Sequence, residues 1–348
     1  MSWLELPQIK WAVPIPLLLA LAPAVWWLFR DTWRALDDQA FAYRRALRAR
    51  GAVDYRPLVA LTLAVLILTL QEYYSRGEFF ARVVRPWLQA REQQNPDGWI
   101  NLDRYGELYL RAWWSLLRLL YFLPLAVWPI FFRRDRFVDF GLRPQGLRAH
   151  AWIYALCVAV MVPVLLLVKR QPDFGAYYPF YKLAGRSWLD FFAWELIYVG
   201  QFVGLEFFFR GWWLRATRAF GAGAIWSMVV PYCMVHYGKP YLEAWAAMAG
   251  GVVLGSLCMK TRSIYAGLFV HATVGVLMDV LALDSKGLLP VLLTPSSSSR
   301  RFAFLYWHPL IWLAWALAVG VLALELGRRR RARRAPAVHA SPREAESG

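Results

Sequence analysis

The stretch LEFFFRG at 205–211 places Glu206 and Arg210 inside one of the most apolar parts of the chain. A charged side chain at the centre of a membrane helix costs at least ~2.5–3.5 kcal/mol, so such residues are retained mainly where they pair or line a polar cavity. Two later apolar segments each contain one histidine, His236 and His271. A carboxylate, a guanidinium and two imidazoles in apolar segments together predict a working site inside a membrane.

The composition around this stretch predicts an all-α, multi-pass transmembrane helical bundle. The chain has 348 residues, of which 59% are hydrophobic and 18% are charged, and the apolar residues form long continuous blocks. A transmembrane β-barrel would show alternating rather than continuous apolar residues. The three cysteines form no CxxC pair, which argues against a thiolate zinc site.

The chain has a formal net charge of +17, and its basic residues cluster at the ends of the apolar blocks. This distribution indicates membrane topology and contact with the lipid bilayer, and it predicts no nucleic-acid partner. About nine apolar runs of ~17–25 residues are long enough to span a bilayer. They are 11–29, 57–74, 112–132, 151–168, 188–209, 222–237, 242–259, 264–282 and 304–326.

Alternate loops carry most of the Arg and Lys residues, which predicts that those loops and the C-terminus are cytoplasmic. We expect an integral protein of the plasma membrane. The pattern divides the chain into an N-terminal transmembrane region (1–139), a core (140–283), a C-terminal loop with the last span (284–327) and a basic, disordered tail (328–348).

Spacing along the helices brings further polar groups beside the histidines. Glu206 and Arg210 are four residues apart and share a helix face, and so do Tyr232 and His236. Asp279 follows His271 by two helical turns. We expect these six side chains to line one polar cavity.

The residue types in that cavity are those of general acid–base chemistry on a peptide bond. In this interpretation Glu206 is the general base that activates water, and His236 helps to orient or deprotonate the same water. His271 donates to the developing oxyanion. Glu206, His236 and His271 could alternatively hold a divalent metal ion. We favour a mechanism without a cofactor, because Arg210 would repel a divalent cation.

Two alternatives remain open. Glu206 and Arg210 would also be tolerated as a purely structural ion pair, with His236 and His271 as hydrogen-bonding groups between helices. Glu195, three helical turns before Glu206 on the same face, is the competing candidate for the base.

At these residues the chain resembles the CPBP family of intramembrane glutamic endopeptidases, the CAAX protease and bacteriocin-processing family, also called Abi. The family pattern is a pair of Glu residues with an Arg four after the second, then Phe-x-x-x-His, then His-x-x-x-Asn or Asp. Glu206 with Arg210 is similar to the second Glu and the Arg, 232–236 (YCMVH) to the second motif, and His271 to the last histidine. The resemblance covers about 188–283, and less closely 140–144.

The chain departs from this pattern at two positions. Leu205 stands where the family has its first Glu, and Gly275 stands where it has Asn or Asp, so that Asp279, one turn later, becomes a candidate substitute. The resemblance implies an intramembrane endopeptidase that acts on a membrane-associated peptide or protein, lipidated or bearing a leader. The alternative is a non-hydrolytic immunity or scaffold protein that keeps the same fold.

Overall fold

The computed structural model describes residues 11–143 and 151–289, and every regular element in these two ranges is helical. The predicted all-α, multi-pass fold is confirmed. Several predicted features lie outside the described residues: the ninth span (304–326), the basic tail (328–348) and most of the region 284–327.

Six helices are long and apolar enough to cross a membrane. They are α1 (Pro14–Ala49), α2 (Arg56–Tyr74), α4 (Leu102–Phe131), α7 (Trp188–Ala216), α9 (Tyr241–Thr261) and α10 (Tyr265–Ser285). Two shorter apolar helices are α5 (Ala151–Val168) and α8 (Gly223–Met234). All eight predicted spans that fall within the described ranges therefore correspond to apolar helices.

Two further helices connect the spans. Helix α3 (77–94) has a π-helical section at Phe80–Val84, and α6 (Pro172–Tyr177) is a short helix before α7. Capping side chains set the starts of the central helices. Ser187 accepts a hydrogen bond from the backbone N–H of Asp190 at the start of α7, and Asn101 does the same for Arg104 at the start of α4.

Helix α7 lies at the centre of the bundle and packs against α4, α8, α9 and α10. Residues 204–214 are buried on all sides, which is the expected environment for a helix that is apolar around its whole circumference. Its aromatic rings interlock with α4: Tyr121 stacks on Phe208 at 4.8 Å between ring centroids, and Trp128 meets Trp212 edge-on at 5.6 Å. This packing fixes the position of Glu206 and Arg210, which lie among these rings.

The regular α-helical part of α7 ends at Glu206 and a π-helical section follows at Phe207–Trp213. A π-helical turn contains an extra residue and rotates the side chains that follow, and such turns occur frequently at functional sites. The helix nevertheless continues through Ala216, as the sequence predicts.

Helix α8 is shorter than predicted. It ends at Met234, so His236 lies beyond the helix rather than on the same helix face as Tyr232. Beyond Met234 the N–H groups of His236 and Tyr237 bond to the carbonyls three residues earlier, and Gly238 has a positive φ of 87°. The chain therefore turns at 235–239 before α9 begins.

Candidate functional site

The centre of the site is a fully buried ion pair within α7. Arg210 Nη1 lies 3.1 Å from Glu206 Oε1, and neither side chain is accessible to solvent. The Arg210 guanidinium also lies over the ring of Tyr232 from α8, 3.9 Å from its centroid. Burial of both charges requires this pairing, because an isolated charge would not be tolerated in an apolar interior.

Helix α10 supplies the second partner of the carboxylate. His271 Nδ1 lies 3.0 Å from Glu206 Oε1. One helical turn earlier, Gly267 allows the close approach of the two helices: a Cβ atom at this position would lie only 2.5 Å from Glu206 Oε2. The absence of a side chain at Gly267 is therefore what gives the carboxylate room between α7 and α10.

The contact with Glu206 suggests a role for each nitrogen of His271. A carboxylate only accepts hydrogen bonds, so beside a carboxylate at Glu206 the Nδ1 of His271 is the donor, and the lone pair of the neutral ring lies on Nε2. The His271 side chain keeps 16% of its surface accessible, whereas Glu206 and Arg210 have none. The ring of Phe202 stacks on the imidazole at 4.2 Å and restrains its orientation.

His236 reaches the same cluster indirectly. Its Nδ1 donates to the backbone carbonyl of Tyr232 at 2.7 Å, and its ring lies 4.7 Å from the Tyr232 ring. The Tyr232 ring in turn lies 6.5 Å from that of His271. In the part of the chain that the structure describes, Glu206 forms an ion pair with Arg210 and a hydrogen bond with His271, and it forms neither with His236.

The alternative metal site formed by Glu206, His236 and His271 is not formed by these side chains. Within 11–143 and 151–289, no group of three or more His, Cys, Asp or Glu side chains is arranged to hold a metal ion.

Asp279 lies away from the Glu206 cluster. It is fully buried, and its Oδ2 accepts a hydrogen bond of 2.6 Å from Trp194 Nε1. Trp194 lies in the first half of α7 and is followed by Glu195, so Asp279 contacts the part of α7 that carries the competing acid. The Glu195 side chain is 7% exposed, and neither of its carboxylate oxygens has a hydrogen-bond partner among the described residues.

Leu205 and Gly275, the two positions that depart from the family pattern, both lie in tightly packed apolar surroundings. Leu205 is buried in the apolar core, next to Glu206 in sequence. A Cβ atom at Gly275 would lie 2.9 Å from the ring of Phe202 and 3.2 Å from that of Tyr198. The space that an Asn or Asp side chain would need at this position is occupied by the aromatic rings of α7.

Sequence reasoning does not identify Phe202 and Gly267 as members of the site. Both residues were detectable in principle from their spacing. Phe202 lies one helical turn before Glu206 on the same face, and Gly267 lies one helical turn before His271 on the same face. A small residue one turn from a buried polar group is a typical signal of close helix packing in membranes.

Comparison with known proteins agrees with the resemblance in the sequence. Residues 187–278, about a quarter of the chain, match the family model described as Type II CAAX prenyl endopeptidase Rce1-like. The matched segment runs from the N-cap of α7 into α10 and includes the whole Glu206 cluster. No curated protein and no solved structure matches the chain. The six long apolar helices and this match identify an integral membrane protein with a CAAX-protease-like segment.

Proposed function

We propose that this chain, whose residues 187–278 are similar to Rce1-like CAAX endopeptidases, is an intramembrane endopeptidase that hydrolyses a peptide bond of a membrane-associated substrate. The observation that carries the proposal is the hydrogen bond of 3.0 Å between Glu206 and His271 inside a buried, ion-paired cluster. Lipidated proteins and leader-bearing peptides are the substrate classes that this membrane location favours.

The geometry favours His271 as the base and Glu206 as the group that orients it. The sequence alone makes Glu206 itself the group that activates water, but its Oε1 is engaged by Arg210 and His271 and its Oε2 packs against Gly267. The carboxylate holds Nδ1–H of His271 and stabilises the imidazolium that forms when Nε2 takes up a proton.

In the proposed reaction, Nε2 of His271 removes a proton from a water molecule whose oxygen attacks the carbonyl carbon of the substrate. Breakdown of the tetrahedral intermediate breaks the C–N bond, and the imidazolium returns its proton to the leaving amine. His236 has its Nδ1–H on the Tyr232 carbonyl, and its other ring nitrogen is available to position the attacking water. Arg210 and Tyr232 are supporting groups: Arg210 pairs with Glu206, and the Tyr232 ring packs against the guanidinium.

The decisive variant is His271→Asn. The Asn amide nitrogen occupies nearly the position of Nδ1 and keeps a donor for Glu206, but it removes the base at Nε2. We expect the variant to accumulate at the wild-type level in membranes and to lose cleavage by about 10²-fold or more, the usual effect of a general base. A proteomic comparison of membrane fractions identifies the uncleaved substrates. Wild-type cleavage by a correctly folded His271→Asn protein would overturn the proposal.

A second candidate function is a non-hydrolytic membrane protein, such as an immunity or scaffold protein that binds a peptide. The specific observations in its favour are Leu205 in the apolar core and the aromatic rings that fill the space beside Gly275. For this function, the membrane proteomes of wild type, His271→Asn and Glu195→Gln would be identical. Loss of cleavage in Glu195→Gln alone would instead assign the base to Glu195.

The finer topology is also part of the proposal. It places the protein in the plasma membrane with a catalytic core at about 140–283, and the positions of the basic loops support a cytoplasmic C-terminus. Reporter fusions after residue 348 and within the loop at 95–101 would report opposite sides of the membrane if this topology is correct.

A further inference from the structure

A groove of about 920 Å³ lies between α3, α4 and α7, on the side of α7 that faces away from Glu206. The volume is at the upper end of the ~300–1,000 Å³ usual for binding pockets. Its walls are mainly apolar and include Trp87, Leu119 and Leu196. Three polar side chains also line it: Ser115, Arg118 and Gln201.

These three side chains have unused hydrogen-bonding capacity. Arg118 Nε donates to Gln201 Oε1 at 3.3 Å and its Nη1 to Tyr121 Oη at 3.4 Å, so the amide NH₂ of Gln201 points away from this bond. Gln201 is 6% exposed and Ser115 is 7% exposed. Within the described ranges, neither Gln201 Nε2 nor Ser115 Oγ has a partner. Gln201 Nε2 and Ser115 Oγ are thus nearly buried, lack a hydrogen-bond partner and lie beside the cationic side chain of Arg118.

Arg118 itself lacks an anion. It stacks over the rings of Trp114 and Tyr121, at 4.7 and 5.7 Å, but it forms no ion pair with any carboxylate that the structure describes. It lies six residues, or about 9 Å at ~1.5 Å per residue, inside the apolar run 112–132. An arginine inside an apolar run calls for an acidic or hydrogen-bond-accepting partner.

The backbone at the groove is open to a close neighbour. Gly200 and Gly204 are four residues apart on α7 and both line the groove. Gly204 packs against α4, where an added Cβ would lie 2.9 Å from the carbonyl oxygen of Arg118. Gly200 is exposed, and an added Cβ there would meet nothing within 4 Å. A helix in the groove could therefore approach the backbone of α7 closely at Gly200.

We infer that this groove binds a transmembrane helix of another protein that carries a carboxylate about two helical turns inside its apolar span. The carboxylate would accept hydrogen bonds from Arg118, Gln201 Nε2 and Ser115 Oγ, and apolar side chains of the helix would cover Trp87 and Leu196. A phospholipid fits less well, because its charge lies at the membrane surface, whereas Arg118 lies about two helical turns inside the apolar run 112–132. The inference is independent of the proposed peptidase activity.

The test uses the full-length protein in vesicles of neutral lipid and a labelled leucine-rich peptide helix of ~20 residues with one Glu about two turns from an end. Energy transfer from protein to peptide measures binding. We expect the Glu peptide to bind about tenfold more tightly than the same peptide with Leu at that position. Arg118→Gln should remove this preference, and Gly200→Leu should block both peptides by filling the groove.

Arg111→Gln is the matched control. Arg111 lies on the same helix, pairs with Glu107 at 3.7 Å and does not line the groove, so its substitution should leave peptide binding unchanged. Because Gly200 has open space around it, Gly200→Leu tests the groove without disturbing the fold, and unchanged thermal unfolding would verify this.

Three results would overturn the inference. The first is equal binding of the Glu and Leu peptides. The second is binding unaffected by both Arg118→Gln and Gly200→Leu. The third is a photo-reactive residue at position 200 that crosslinks to anionic lipid or to residues 304–326 of the same chain instead of the peptide.

Discussion

Glu206→Gln offers the most direct quantitative test of the buried cluster. Both members of the Glu206–Arg210 pair are inaccessible to solvent, and their charged atoms are 3.1 Å apart. The substitution removes the negative charge and leaves the Arg210 guanidinium buried without an anion. Breaking a buried ion pair on one side costs about 3–5 kcal/mol.

The structure indicates a value near the lower end of that range. The amide oxygen introduced by Glu206→Gln could still accept a hydrogen bond from His271, and the Tyr232 ring at 3.9 Å from the guanidinium would still stabilise the cation. We therefore expect a loss of about 3 kcal/mol. In proteins of 150–250 residues each kcal/mol of lost stability lowers the thermal midpoint by ~2–4 °C, so the midpoint should fall by roughly 6–12 °C.

The assay is thermal unfolding of the detergent-solubilised protein near neutral pH, followed by tryptophan fluorescence. Glu78→Gln is the control, because Glu78 and Arg82 have the same four-residue spacing and an ion pair at 2.7 Å but are 67% and 77% exposed. An exposed pair contributes only about 0–1 kcal/mol.

Adding Arg210→Gln to Glu206→Gln removes the unpaired cation and should recover more than half of the lost stability. The reasoning is refuted if Glu206→Gln shifts the midpoint no more than Glu78→Gln does, or if the double variant is less stable than Glu206→Gln alone. The expected instability of Glu206→Gln is also the reason to test catalysis with His271→Asn.

Two further predictions concern packing and pH. Gly267→Ala should displace the Glu206 carboxylate, because the new Cβ would lie 2.5 Å from Oε2. We expect a loss of stability of about 1–3 kcal/mol in thermal unfolding. The control Gly250→Ala, whose Cβ would have nothing within 4 Å, should cause no measurable loss. Comparable unfolding of the two variants would contradict this account. Partial burial raises the pKa of Asp135, but hydrogen bonds from Arg56 and Trp128 outweigh it and hold that pKa below its usual value. A carboxyl with a lowered pKa stabilises the fold above its unfolded-state pKa of ~3.9, and this contribution is lost as the pH falls through the lower folded-state value. Asp135→Asn should therefore destabilise the protein by about 1–3 kcal/mol at pH 7. In unfolding measurements this difference should shrink as the pH falls below the unfolded-state pKa of ~3.9. A difference that persists undiminished into that acidic range would contradict the role of the charge.

The spans could be read from the sequence because the membrane imposes a local rule. Each segment in hydrocarbon must satisfy its own backbone hydrogen bonds, so that a long apolar run can only be a helix. The local rule was less informative about the end of α8: the helix ends at Met234, and His236 lies past that end. The boundaries predicted from apolar runs also miss the polar helical extensions of α1 and α4.

The sequence by itself determined the helical class, the apolar spans and the four-residue spacing of Glu206 and Arg210, since all of these follow from local composition and helix periodicity. Only the tertiary structure decided which distant groups meet. His271 bonds to Glu206, whereas Asp279, two turns further along the same helix, bonds to Trp194. The depth and rotation of one helix against another depend on packing, here on the missing side chain at Gly267 and the ring of Phe202. No local pattern in one helix specifies that packing, because it is a property of two surfaces in contact.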